Sequence, residues 1–103
     1  MAAYIVGHFT IDDEEAYGRY AEAFFPVFDK YGGELVAVDD QQPIVEGTAP
    51  PGRTVILRFS DLDTAKAFWN SAEYQEIAEH RRAGTTTSII TLIADRPEGW
   101  TGP

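Results

Sequence analysis

The chain carries two histidines, and one of them, His8, lies in "AYIVGHF", a run of β-formers near its start. An imidazole with an ordinary pKa near ~6.5 serves as a proton-transfer group at neutral pH. Tyr4 shares the strand phase of His8, and Thr54 and Arg58 share one phase of a later run, "RTVILRF"; with the two strands antiparallel, His8 should lie towards Thr54 and Tyr4 towards Arg58. A histidine base, with a guanidinium or a phenol to hold negative charge, is a minimal set for removing a proton beside a carbonyl. The competing reading makes His8 a hydrogen-bonded or half-exposed residue at a subunit seam. In that reading Arg58 pairs with an acid on a neighbouring strand.

A second set is aromatic. Trp69 and Tyr74 stand in "AFWNSAEYQEI", and Tyr20, Phe24 and Tyr31 recur at helical spacing earlier in the chain. Together they make either the wall of a cavity for a flat ligand or an ordinary core stripe. Four phenols, Tyr17, Tyr20, Tyr31 and Tyr74, each need a partner or water when buried, which points to some polar space between helix and sheet. Glu46, in "PIVEGTAPPG", is a candidate carboxylate over the pocket mouth, or simply the end of an edge segment. Arg81 and Arg82 read as cations complementing the end of a helix.

Other chemistries find little support. Glu76 and His80 are four residues apart on one helix face, but with one other histidine they form a poor ligand set, so no metal is expected. No Gly-x-Ser-x-Gly elbow surrounds a serine, and Ser71 reads as a helix cap. Gly32 and Gly33 follow a helix and do not open one, so no nucleotide loop is indicated. The absence of cysteine rules out disulfides and thiolate chemistry. No cofactor follows from the residues.

The elements that must position these groups are legible from periodicity. Ala3–Phe9 reads as a first strand. Thr10 and Asp13 have capping-box spacing. They open a helix whose inward face carries Tyr17, Tyr20, Ala21, Phe24, Phe28 and Tyr31. Pro26 is expected to kink or end its first section, and Gly32-Gly33 to stop it. Glu34–Asp39 is a second strand, Asp40–Gly52 a long connection, and Arg53–Phe59 a third strand. Ser60 and Asp63 repeat the capping spacing ahead of a second helix bearing Leu62, Ala65, Phe68 and Trp69. Asn70 and Ser71 cap a further helical segment, with Glu73 expected to reach back to Asn70. Gly84 closes that segment, and Thr87–Ala94 is the fourth strand.

The order strand-helix-strand-strand-helix-strand is the ferredoxin-like βαββαβ arrangement of an α+β protein. It predicts a four-stranded antiparallel sheet with strands one and three central and two helices on one face. At 103 residues the chain makes a single domain, spanning 1–103. Apolar residues occupy both phases of the strands, so the second sheet face also calls for cover, and a homodimer is expected. A net charge of −9 argues against nucleic-acid and membrane-surface partners. The longest apolar run falls far short of the ~20 residues a spanning helix needs. "MAAYIVGHF" lacks the pattern of an export signal, so a cytoplasmic location is the default.

Several stretches carry a family resemblance. The Tyr17/Tyr20 pair, Tyr31-Gly32-Gly33, Glu46-Gly47 and Phe68-Trp69-Asn70-Ser71-x-Glu73-Tyr74 resemble the domain-of-unknown-function 1330 family, of the dimeric α/β-barrel superfamily. The likeness covers roughly residues 4–94. The sequence departs from the family pattern at Val38-Asp39-Asp40, where Arg-Gly-Gly is frequent, and at Arg58, where a glutamate is frequent. The resemblance implies a dimeric barrel and a small-ligand pocket between helices and sheet. Related superfamily members include cofactor-free monooxygenases, isomerases, dehydratases and haem-binding enzymes.

The expectation is therefore a cofactor-independent enzyme, of monooxygenase, isomerase or cyclase type, acting on a small aromatic or carbonyl-bearing metabolite. His8 is the expected base and Arg58 or a phenol the oxyanion stabiliser. Tyr4, Tyr20, Phe24, Tyr31, Glu46, Trp69 and Tyr74 are the expected ligand contacts. The alternative is a non-catalytic dimer that binds a small ligand or a protein partner.

Overall fold

Alternation along the first strand decides how the molecule is layered. The structure, a computed structural model, describes residues 1–103. In β1 (Ala3–Ile11) the residues Ala3, Ile5, Gly7 and Phe9 are buried, while Tyr4, Val6, His8 and Thr10 are half-buried. The first set lies beneath the helices and the second faces the other way, as the period of two requires. The sheet order is β2-β3-β1-β4 and all pairings are antiparallel, with β2 at Glu34–Asp39, β3 at Arg53–Phe59 and β4 at Thr85–Ala94. The expected centre is correct, and so is the register: Tyr4 stands opposite Arg58 and His8 opposite Thr54.

The helices differ from expectation in detail. β1 runs on to Ile11, so Thr10 belongs to the strand, and Asp13 caps α1 (Glu14–Phe28) by accepting from the Glu15 and Ala16 amides. Pro26 does not break α1. It lies in the last turn, where the missing N–H frees a single carbonyl, and the chain then tightens into a 3-10 turn at Asp29–Tyr31. Gly32 ends it with φ 66°, a left-handed conformation that glycine adopts without strain.

The second helix is two helices, α2 (Leu62–Asn70) and α3 (Ala72–Gly84), broken at Ser71. Asp61, one residue after the expected Ser60, caps α2 through the Thr64 amide. Ser71 makes the break by accepting from the Tyr74 amide while its hydroxyl donates to the Phe68 carbonyl. Glu73 does not return to Asn70. It pairs with Lys30 at 2.6 Å and ties α3 to the 3-10 turn that follows α1.

The core is aromatic. Phe68 is fully buried, and around it lie Phe24, Phe28, Phe59 and Tyr74, with Tyr31 against its outer edge. On the opposite sheet face Ile89 and Ile93 are 59% and 49% exposed, beside half-buried Val6 and Ile56. That face has no cover within the chain. No helix is long and apolar enough to cross a membrane.

Candidate functional site

A cavity of about 190 Å³ lies between α1 and the helix-facing side of the sheet. Its floor is Ile5 and Gly7 of β1 with Val55 and Leu57 of β3, and its roof is Tyr17, Tyr20 and Phe24 of α1. Trp69, Tyr74 and Arg81 close the inner end, while Phe25, Leu35 and Val38, each more than two-fifths exposed, form the mouth. The walls are mostly hydrophobic, 14 of 17 lining residues. Gly7 keeps the floor open: a Cβ there would meet Ile90 Cγ1 at 3.3 Å.

Two polar features interrupt the apolar wall. The first is a phenol pair: Tyr20 Oη and Tyr74 Oη are 3.0 Å apart, and both side chains are buried. One hydroxyl donates to the other, so one O–H of the pair is left without a protein acceptor. Burial, reinforced by the neighbouring Tyr74 phenol, pushes Tyr20 well above the ordinary phenol value, and Arg81 offsets this only in part. Tyr20 therefore keeps its proton at neutral pH and can donate it in a hydrogen bond.

The sign of the stability effect follows. A phenol with a raised folded pKa stabilises fully below the unfolded value of about 10, and that contribution is lost as pH rises through the folded value. The urea midpoint should therefore fall more steeply between pH 9 and about pH 11 in the wild-type chain than in Tyr20→Phe. Identical pH slopes in the two proteins would remove Tyr20 as the cause.

The second feature is cationic. Arg53 stands with its guanidinium 5.4 Å above the Tyr17 ring and holds Asp40 through two hydrogen bonds of 2.7 and 2.9 Å. That contact keeps the Asp40 carboxyl below its ordinary value and neutralises Arg53. Arg81, in the last turn of α3, is only 4% exposed. It does complement the helix end, as expected, but its side chain points inward. The signal was present in the sequence: Arg81 falls three, four and seven residues after Ala78, Ile77 and Tyr74, on the stripe that packs inward.

Of the expected ligand contacts, Tyr20, Phe24, Trp69 and Tyr74 line the cavity. Tyr31 does not; its ring packs on Phe68 at 5.8 Å. His8, Tyr4 and Arg58 are also outside it, because strand alternation puts them on the far sheet face. Arg58 is exposed and faces Glu34 at 3.9 Å, the cross-strand pairing that was its alternative reading. His8 has both ring nitrogens engaged. Nε2–H donates to the Pro50 carbonyl at 2.8 Å, which leaves Nδ1 to accept from the Thr54 hydroxyl at 2.9 Å in the neutral ring. It thus pins the Asp40–Gly52 connection to β1, together with Thr10, whose hydroxyl donates to the Pro51 carbonyl. Glu46 is exposed in that connection, away from the cavity. No three His, Asp or Glu side chains converge as metal ligands.

A ferredoxin-like α+β domain with an apolar cavity under its first helix is the class that these features define. Within that class, the chain belongs to the family described as "Domain of unknown function (DUF1330)", whose model matches residues 2–94. No curated protein matches it. Among solved structures it is similar to a protein of unknown function from Rhodopseudomonas palustris, at 17% identity and TM-score 0.77, over 93% of this chain and 83% of that one. It is similar to SnoaB, a cofactor-independent oxygenase from Streptomyces nogalater, at 16% identity and TM-score 0.62, over 96% and 98%. It is also similar to a dimeric protein of unknown function and ferredoxin-like fold from Bacteroides fragilis, at 13% identity and TM-score 0.57, over 90% and 95%. At these identities the likeness is one of fold.

Proposed function

We propose that this protein handles a planar, carbonyl-bearing small molecule in the cavity beneath α1, as a cofactor-independent enzyme of the kind that carries an enolate or phenolate through its reaction. The observation that carries this reading is an apolar cavity bordered by a hydrogen-bonded phenol pair with one O–H to spare. A ring suits the walls, and a carbonyl oxygen suits the phenol. As negative charge develops on that oxygen, a preorganised donor in a dry site stabilises it more than water does. SnoaB, similar in fold, is a cofactor-independent oxygenase, which agrees with this chemistry. Tyr20, Phe24, Trp69 and Tyr74 are the proposed ligand contacts.

One observation favours a second reading, a binding protein without catalysis: no histidine or carboxylate lines the cavity. Catalysis there would need a ligand acidic enough to give its proton to water. In either reading the functional unit is proposed to be a homodimer, closed through the far sheet face as a dimeric α/β barrel. The dimeric Bacteroides fragilis protein of similar fold supports that assembly.

Acetophenone tests both readings. It should shift the NMR signals of Trp69, Tyr20 and Tyr74, and Ala21→Trp, which fills the cavity from α1, should abolish the shifts. Shifts that survive Ala21→Trp, or none at all, would dismiss the cavity as a ligand site. Exchange of the acetophenone methyl protons in D2O, faster with protein than in buffer, separates the enzyme from the binding protein.

A further inference from the structure

The chain has eight lysines and arginines, and five of them, Arg19, Lys30, Arg53, Arg58 and Arg82, have carboxylate partners. Lys66 and Arg96 are exposed to water. Arg81 is alone in being buried, at 4% exposure, without an ion pair. Its one side-chain hydrogen bond is long, from Nη1 to the Thr87 hydroxyl at 3.4 Å. Its Nε–H is sealed from solvent and has no acceptor.

The Tyr20 and Trp69 rings stand with their centroids 5.8 Å from the guanidinium carbon, and α3 ends beside it. Ring faces and helix carbonyls offset part of a positive charge. They do not provide the planar pair of acceptors that a guanidinium fork matches best. A buried charge short of partners is unfavourable, so its place on a cavity wall calls for a partner from outside the chain. Arg53, the other guanidinium on that wall, already has Asp40.

We infer that the cavity selects an anion: a planar, single-ring carboxylate, with its ring among Tyr20, Phe24 and Trp69 and its carboxylate received by Arg81. The inference rests on the cavity being a ligand site, and it names the ligand class. Size limits the ring system, since a cavity of about 150 Å³ already holds benzene and this one measures about 190 Å³. The overall charge of −9 repels anions at long range, so the preference has to arise from this one local cation.

Benzoate and benzamide have nearly the same outline and differ in charge. Each is titrated into the chain carrying Trp100→Phe, which leaves Trp69 as the reporting indole. Benzoate is expected to bind at least tenfold more tightly than benzamide. Arg81→Met keeps an unbranched apolar stem, and is expected to erase the preference while raising the urea midpoint. Arg81→Lys is expected to keep part of the preference. Equal affinities for the two probes in the wild-type background, or a preference that persists in Arg81→Met, overturn the anion assignment and leave the ligand cavity standing. If neither probe nor acetophenone perturbs Trp69, the cavity reading falls and takes the anion assignment with it.

Discussion

Phe68→Ala is expected to lower the unfolding free energy by about 3–5 kcal/mol, the range for removing a fully buried phenylalanine. Phe68 of α2 has no exposed surface, and it is the ring on which α1, α3 and the sheet converge. Its centroid lies 4.5 Å from Tyr74 of α3, 5.2 Å from Phe59 of β3 and 5.7 Å from Phe28 of α1. These neighbours are bulky and held by their own contacts, so they collapse poorly into the space an alanine leaves, and the loss should sit high in that range. A domain of this size has about 5–15 kcal/mol in total. With a urea slope of about 2 kcal/mol per molar, the midpoint falls by about 2 M. Phe68→Leu, which keeps most of the volume, should lose about half as much or less. A drop below about 0.5 M for Phe68→Ala would mean that Phe68 is not the hub that its contacts make it.

Ile56→Asp is expected to convert the proposed homodimer to a monomer without unfolding it. Ile56 stands at the middle of the far sheet face, paired with Val6 on one side and Ala37 on the other. It is not part of the helix-side core, so the domain tolerates the change. In a two-fold interface the substitution counts twice. Losing the burial of two isoleucines, about 1.5–3 kcal/mol each, weakens association by about 3–6 kcal/mol. At 1.4 kcal/mol per decade that is roughly a hundredfold to ten-thousandfold in Kd. Burying two unpaired carboxylates adds to it. Sedimentation of both proteins at the same concentration checks this. A wild-type monomer, or a variant that stays dimeric, would place the partner elsewhere or nowhere.

The fold was almost entirely legible in the sequence, because its signals are local. Period-two runs gave the strands, three- and four-residue steps gave the helices, and antiparallel pairing placed Tyr4 against Arg58 and His8 against Thr54. Of the expected caps Ser71 is correct, and the other two are displaced by a residue or more. Asp13 and Asp61 cap in place of Thr10 and Ser60, since the strand continues to Ile11 and spacing alone does not say which oxygen reaches the free amides.

The site was legible only in part. Tyr20, Phe24, Trp69 and Tyr74 came from helical spacing, and all four reach the cavity. His8 and Arg58, the expected base and oxyanion stabiliser, lie across the sheet from them. The reason is physical: a strand's alternation defines two phases, and in β1 both are apolar, with Ile5 and Phe9 on one and Tyr4 and Val6 on the other. Nothing in such a strand says which phase meets a helix. The packing of α1 and α2 over Ile5, Leu57 and Phe59 made that choice and left His8 on the far face, while α3 brought Arg81 to the cavity. The sequence by itself determined the elements and their order, because these depend on neighbours a few residues apart, and that order implied the pairing through the βαββαβ arrangement. Only the tertiary structure decided which face holds the cavity and which charge borders it, because burial depends on residues that the chain brings together from its two ends.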